Sequence, residues 1–292
     1  MSGGVVLVLS GGGARALAHL GVLEVLEEAK IPITRIVAVS GGAVVGVLYS
    51  HCASARDAQR KFTDALTAPE VSPTWRKMAR VQRDRHGLRA RLMRIFGYWR
   101  LVRKPGIIEA RVLMRAMQWL VGSHQFEDLR VPLSIVSTDL VTGREVVFGN
   151  GPLLPVLSGS CALPGIFEPI VAGERLLVDS GDINPLPVNV ARRYRPDFII
   201  ASDVSRGKIE LPAHMNGIEV QARAKDAGAL VLRDAHQRLA DFIIRPRVLR
   251  REWSDFENPE EAYRAGRAAA GRRLERLFAG LKWKELMPCK TD

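Results

Sequence analysis

The sequence predicts an α/β protein with a central, mostly parallel sheet flanked by helices. Strand, glycine turn and helix occur twice before Tyr49, and several later apolar runs end in a polar residue. The first unit opens with Val5-Val6-Leu7-Val8-Leu9, a run suited to a strand buried on both faces, closed by Ser10-Gly11-Gly12-Gly13. A helix should follow, with Ala16, Leu17, Leu20, Val22, Leu23 and Leu26 on its inner face and Lys30-Ile31-Pro32 as its stop.

The second unit has Ile36-Val37-Ala38-Val39 as strand, Ser40-Gly41-Gly42 as turn and Ala43 to Tyr49 as helix. Such alternation implies right-handed crossovers, with a site in the loops beyond the carboxyl ends of the strands. A further helix is expected around Val112 to Val121, then strands at Pro132 to Val136 and Glu145 to Phe148 flanking the turn Thr142-Gly143. Leu176-Leu177-Val178, Phe198 to Ala201 and Asp241 to Ile244 read as later strands, and Pro259 to Leu281 as one Arg/Ala-rich helix with Ala262, Ala265, Ala269, Leu274 and Leu277 inside.

The 292 residues are 47% hydrophobic and 25% charged, which is enough to build a core and argues against disorder. The amino terminus has only the short apolar run Val5 to Leu9, so neither a signal peptide nor a spanning helix is expected there, and no other stretch is long enough to span. Three scattered cysteines, Cys52, Cys161 and Cys289, support neither a disulfide framework nor a zinc site, and a cytoplasmic, possibly membrane-peripheral location is the expectation. The net charge of +12 implies attraction to an anionic partner. Trp75 to Lys104 holds eleven Lys/Arg against one acid, Asp84, and so carries +10 of that charge. Leu88, Leu92, Ile95, Phe96 and Trp99 fall at helical spacing within it, the pattern of a helix on an anionic bilayer, although packing on the protein's own core or binding nucleic acid, the least favoured, would give similar patterns.

Gly11-Gly12-Gly13-Ala14-Arg15 lies between a strand and a helix, where backbone N–H groups can converge beside a positive helix end and bind an anion. The loop fits a dinucleotide fingerprint, but the acidic residue expected at the next strand end is replaced by Val39-Ser40, so an oxyanion is the better ligand. Ala38-Val39-Ser40-Gly41-Gly42 resembles a nucleophile elbow with alanine at the first glycine position; Ser40 as a helix N-cap is the plain alternative.

A serine needs a base. Of the six histidines only His214 and His236 follow Asp179 in the order a Ser-Asp-His hydrolase uses, and neither sits in a turn after a terminal strand. Asp179, in Val178-Asp179-Ser180-Gly181, is the other candidate, provided a dry pocket raises its basicity; capping a turn is its plain role.

Together these residues resemble the patatin-like phospholipases. Gly11 to Arg15 with His19-Leu20-Gly21-Val22-Leu23 is similar to that family's oxyanion block, and Ser40 to Gly46 to its nucleophile block. Ser137-Thr138-Asp139-Leu140, Ser160 to Pro169 and Asn184-Pro185-Leu186-Pro187 resemble its connecting blocks. The resemblance implies that Ser40 attacks an ester carbonyl, that Asp179 is the base without histidine, that the Gly11 to Gly13 amides hold the oxyanion and that Arg15 positions their loop. His19 reads as a packed helix residue. The chain departs from the family pattern at Ala38 and at Ser180, where glycine is usual.

The expectation is therefore one patatin-like acyl hydrolase domain over 1–292, with 70–108 a basic helical insertion or cap and 259–292 a C-terminal helix and tail. It would cleave acyl lipids through a Ser40–Asp179 dyad, with Gly11, Gly12, Gly13, Ala14 and Arg15 as oxyanion loop, Ala38, Gly41 and Gly42 as elbow, and neither metal nor cofactor. A catalytically weak module docking on an anionic partner is the alternative.

Overall fold

A computed structural model describes residues 4–73, 100–122, 124–205, 215–248 and 253–281. The amphipathic pattern within the basic segment, and His214, lie outside them. β1 (Val5–Leu9) leads through a 3-10 turn (Gly13–Leu17) into α1 (Ala18–Glu28). Next come β2 (Ile33–Val39), α2 (Gly41–His51), α3 (Ala55–Thr67), β3 (Gly106–Ile108) and α4 (Ala110–Val121). They are followed by β4 (Leu133–Asp139), β5 (Arg144–Phe148), α5 (Leu153–Ser160), β6 (Gly165–Phe167), β7 (Ile170–Ala172) and β8 (Arg175–Val178). The chain continues with α6 (Val188–Arg192), β9 (Phe198–Ser202), α7 (Gly217–Gln237), β10 (Phe242–Ile244), α8 (Pro259–Gly271) and α9 (Leu274–Gly280).

The main sheet has the order β10-β9-β1-β2-β4-β8-β7, with β5 also on β4. From β10 to β4 every pairing is parallel, as the repeated strand–turn–helix units imply, whereas β8 and β5 pair antiparallel with β4, and β7 pairs antiparallel with β8. β3 and β6 form a separate parallel pair, so the last residues of the segment expected to be helical form a strand.

β1 shows why its sequence is apolar throughout. Val5, Leu7 and Leu9 enter a large core built with α1, α2, α4 and α8, while Val6 and Val8 enter a smaller one beneath Val188 and Val190 of α6. Both faces of this central strand are dry, so alternation with polar residues is absent.

The expected C-terminal helix is interrupted between Gly271 and Leu274. Gly271 is a weak helix former, and Arg273 there donates to the Ile243 carbonyl at 2.6 Å while its guanidinium stacks 4.6 Å above the Phe242 ring. Docking to β10 thus competes with helix continuation. Among the described residues no helix is long and apolar enough to cross a membrane.

Candidate active site

Strand register brings Ser40 and Asp179 together. β4 lies between β2 and β8. Val39 pairs with Val136 in the parallel direction, and Val178 pairs with Thr138 in the antiparallel one. Ser40 and Asp179, each one residue beyond its strand, therefore flank Ser137 from opposite sides.

Ser40 is one of three described non-glycine residues with positive φ, at φ 54 and ψ −129. Backbone there strains an L-residue by about 1–3 kcal/mol, and neighbours must over-determine it. Two features do so. The Ser40 N–H donates to Ser160 Oγ at 2.9 Å, and that hydroxyl donates to the Val136 carbonyl at 2.7 Å. α2 meanwhile starts so close to β1 that a Cβ on Gly42 would lie 2.5 Å from the Ser10 carbonyl oxygen. The alternative of Ser40 as a side-chain N-cap fails here, since its side chain makes no capping bond. Ala38 is fully buried in β2.

Asp179 is 4% exposed. Its N–H donates to the Ala162 carbonyl at 3.0 Å and its Oδ1 accepts the Gly181 N–H at 2.7 Å, which fixes the carboxyl plane. Oδ2 is buried without a hydrogen bond of ordinary geometry. Burial pushes the carboxyl pKa up to about 7, opposed first by interaction with the Ser40 side chain and then by the Gly181 N–H. The buried Ser180 hydroxyl accepts from Thr138 Oγ1 at 3.2 Å, so this departure from glycine is tied into β4.

The amides of the glycine loop divide. Gly11 donates to Pro185, Ala14 to Trp253 and Arg15 to Gly12, while the N–H groups of Gly12 and Gly13 have no partner among the described residues. Arg15, 6% exposed, also donates through Nε to the Gly12 carbonyl at 3.2 Å. Because the Gly12 carbonyl and Gly13 N–H point opposite ways across one trans peptide, holding the first aims the second. Gly13 has φ 55, and a Cβ there would lie 2.2 Å from the Trp253 carbonyl oxygen, so only glycine fits. The Gly13 amide nitrogen is 3.0 Å from where a Gly41 Cβ would stand, directly beside the Ser40 turn.

Ser40, Gly13 and Gly41 open on an apolar slot of about 50 Å³ walled by Val44, Val45, Phe62, Leu113, Met117 and Phe167. Cys161 also lines it, its thiol pKa raised by burial and then by the charge of Asp179. Sequence reading missed Ser160 and the α4 wall; the only signal was the block Ser160 to Pro169, whose Ser160 holds Ser40 and whose Ala162 holds Asp179.

Among the described residues no histidine is hydrogen-bonded to Ser40 or Asp179. His236, on α7, is bonded through Nδ1 to Asn184 Oδ1 at 3.0 Å. His19 is fully buried beneath the glycine loop. No cluster of described His, Cys, Asp or Glu residues is arranged to hold a metal ion.

The fold is shared with solved structures, a phospholipase among them. Human GIVD cytosolic phospholipase A2 superposes with a TM-score of 0.52 at 12% identity, covering 95% of this chain and 60% of that one. VipD from Legionella pneumophila superposes at 0.50 and 13%, covering 94% and 67%. In sequence, an uncharacterised NTE family protein of Mycobacterium tuberculosis is 32% identical over 197 residues, 68% of this chain and 48% of the relative. Patatin-like phospholipase domain-containing protein 6 of Mus musculus is 31% identical over 203 residues, 68% of this chain and 13% of the relative. The chain thus spans about half of the first relative's length and a small part of the second's. The family model described as patatin-like phospholipase matches residues 7–192, and the chain belongs to that family.

Proposed function

We propose that this chain is a serine acyl hydrolase that cleaves carboxylic esters of phospholipids, lysophospholipids or related acyl lipids through a Ser40–Asp179 dyad. The observation that carries the reading is the pairing of a serine on a strained strand-to-helix turn with a buried carboxylate whose pKa is pushed up to about 7, at the mouth of an apolar slot. A carboxylate at its usual pKa is a feeble base; at about 7 its proton affinity suits neutral pH and no histidine is required.

In this reading Ser40 Oγ attacks the ester carbonyl carbon as its proton passes to Asp179. The carbonyl oxygen becomes an oxyanion facing the Gly12 and Gly13 N–H groups, the members of the Gly11 to Arg15 loop whose amides have no partner among the described residues. Collapse breaks the bond to the leaving alkoxide, which takes the proton from Asp179. Water then attacks the acyl-Ser40 ester, giving its proton to Asp179, and the second collapse returns that proton to Ser40 as the fatty acid leaves. Arg15 positions the loop through the Gly12 carbonyl.

The basic segment would bring the enzyme to an anionic lipid surface. The test is labelling with a fluorophosphonate and turnover of p-nitrophenyl acyl esters and phospholipids by wild type and Ser40→Ala. Labelling and hydrolysis that vanish with Ser40 support the reading. A folded wild type that neither labels nor hydrolyses any of them overturns it in favour of a binding module.

A further inference from the structure

The loop proposed to hold the oxyanion hangs from Ser10, the residue after β1, and Ser10 is held at every polar atom. Its N–H donates to the Ser202 carbonyl at 3.1 Å, and its Oγ accepts the Val204 N–H at 2.8 Å. Its carbonyl oxygen meets His19 Nε2 at 3.0 Å. His19 closes the circuit, because its Nδ1 lies 2.7 Å from Ser202 Oγ. Ser10, Ser202 and the His19 side chain are all completely buried.

The partners fix the tautomer. A carbonyl oxygen can only accept, so Nε2 carries the proton; Nδ1 of the neutral ring then accepts from the Ser202 hydroxyl. Burial holds the imidazole pKa down at about 4, with the Ser10 carbonyl and the Asp203 charge opposing it, which agrees with a neutral ring.

This joint touches both halves of the candidate site. The Ser10 carbonyl oxygen lies 2.5 Å from where a Gly42 Cβ would stand, at the first turn of the helix that carries Ser40. The next peptide unit is pinned at both ends, its carbonyl by His19 and its N–H, that of Gly11, by the Pro185 carbonyl at 3.1 Å. Val204, bonded to Ser10 Oγ, stands behind Gly12, with its Cγ2 2.9 Å from a Cβ built there. A shift of Ser10 would therefore move the Gly12 and Gly13 amides relative to Ser40.

Given the oxyanion role proposed for the loop, we propose that His19 is a positioning residue for catalysis: its Nε2–H holds the Ser10 carbonyl and thereby sets where the Gly12 and Gly13 N–H groups point. The imidazole is completely buried, with its two nitrogens on Ser202 and Ser10 and neither on Ser40. It acts through geometry alone, which decides the effect to look for. Misplacing oxyanion donors weakens transition-state binding more than ground-state binding, so kcat falls while KM holds.

The test is steady-state hydrolysis of a soluble short-chain p-nitrophenyl ester by wild type, His19→Leu, His19→Gln, Ser202→Ala and Ser40→Ala, with thermal melting of each. Leucine fills the space without a donor; a glutamine amide can reach the Ser10 carbonyl from the same side. The expected result is a fall in kcat of ~10- to 100-fold for His19→Leu with KM within ~3-fold, and recovery to within ~5-fold of wild type in His19→Gln. Ser202→Ala, which leaves little cavity, gives a smaller fall of the same kind and serves if His19→Leu does not fold. A folded His19→Leu with wild-type kcat overturns the proposal, as does a loss that follows the melting temperature and is not relieved by glutamine. Ser40→Ala separates the two readings: activity that survives it overturns the reading of the site and this inference with it, whereas Ser40-dependent activity indifferent to His19 and Ser202 overturns the inference alone.

Discussion

Ser160 accepts the Ser40 N–H at 2.9 Å with the same hydroxyl that donates to the Val136 carbonyl at 2.7 Å, so a residue at the end of α5 holds the strained serine against β4. Both bonds are buried, and replacing Ser160 by alanine strands a donor and an acceptor away from water. The expectation for Ser160→Ala is a loss of about 2 kcal/mol in unfolding free energy and a fall in kcat of ~10-fold with little change in KM. Chemical denaturation and ester hydrolysis on one preparation check both; unchanged kcat would mean that the elbow holds itself.

The backbone at Ser40 has a thermodynamic signature separate from catalysis. At φ 54 and ψ −129 glycine has no Cβ to strain, so Ser40→Gly should abolish turnover yet unfold at higher denaturant than Ser40→Ala, by about 1 kcal/mol. Ser40→Ala and Asp179→Asn should each abolish turnover, with the double variant scarcely worse, because residues acting as a unit are not additive. Losses that multiply would argue for independent roles.

Asp179 links activity and stability to pH with opposite signs. Its folded pKa is raised to about 7, whereas the unfolded chain ionises an aspartate near 3.8. Between those values the folded state holds the extra proton, so each rise in pH lowers stability until Asp179 is ionised in both states, at a cost of a few kcal/mol. Turnover needs the ionised form, so kcat/KM should climb through about pH 7, while the stability of wild type relative to Asp179→Asn falls from about pH 4 to 7. An activity profile already flat from pH 5 would mean that burial does not raise the Asp179 carboxyl, which then ionises near its ordinary value.

What the sequence made legible follows from how local each signal was. β1, β2 and the turns after them are encoded by contiguous apolar and glycine runs, so Val5 to Leu9 and Ser40-Gly41-Gly42 could be read directly. Asp179 was findable for the same reason, at the end of Leu176-Leu177-Val178, but the antiparallel direction of β8 was not, because pairing with β4 depends on residues far away in the chain. The helix α3 went unread because only Ala55, Ala58, Phe62 and Ala65 are buried and three of those are alanines. Ser160 and the Ser10–His19–Ser202 joint were hidden because a hydroxyl or imidazole in a sequence does not reveal its partner.

Gly12→Val tests the loop as an oxyanion site. Even a Cβ on Gly12 would lie 2.9 Å from Val204 Cγ2, so a branched side chain must displace the loop or Val204. The expected result is a fall in kcat of ~10²–10³ with a much smaller change in KM, the scale of a lost oxyanion donor. Normal labelling and turnover in the folded variant would assign the loop a structural role.

The charge of the basic segment makes the final prediction. Eleven Lys/Arg and one acid between Trp75 and Lys104 concentrate +10 of a net +12 in a tenth of the chain, with Leu88, Leu92, Ile95, Phe96 and Trp99 at helical spacing among them. A lipid ester must leave a bilayer to reach a buried serine, and each basic residue near an anionic surface contributes about 1 kcal/mol, weakened by salt. Binding to anionic liposomes should therefore fall as salt rises, and Trp99→Ala combined with Arg91→Glu and Arg94→Glu should weaken it while sparing hydrolysis of a soluble short-chain ester. Cosedimentation across a salt series measures the first and ester turnover the second. Liposome binding indifferent to both salt and these substitutions, or affinity confined to nucleic acid, would refute docking through this segment and leave the slot behind Ser40 to draw its substrate from solution.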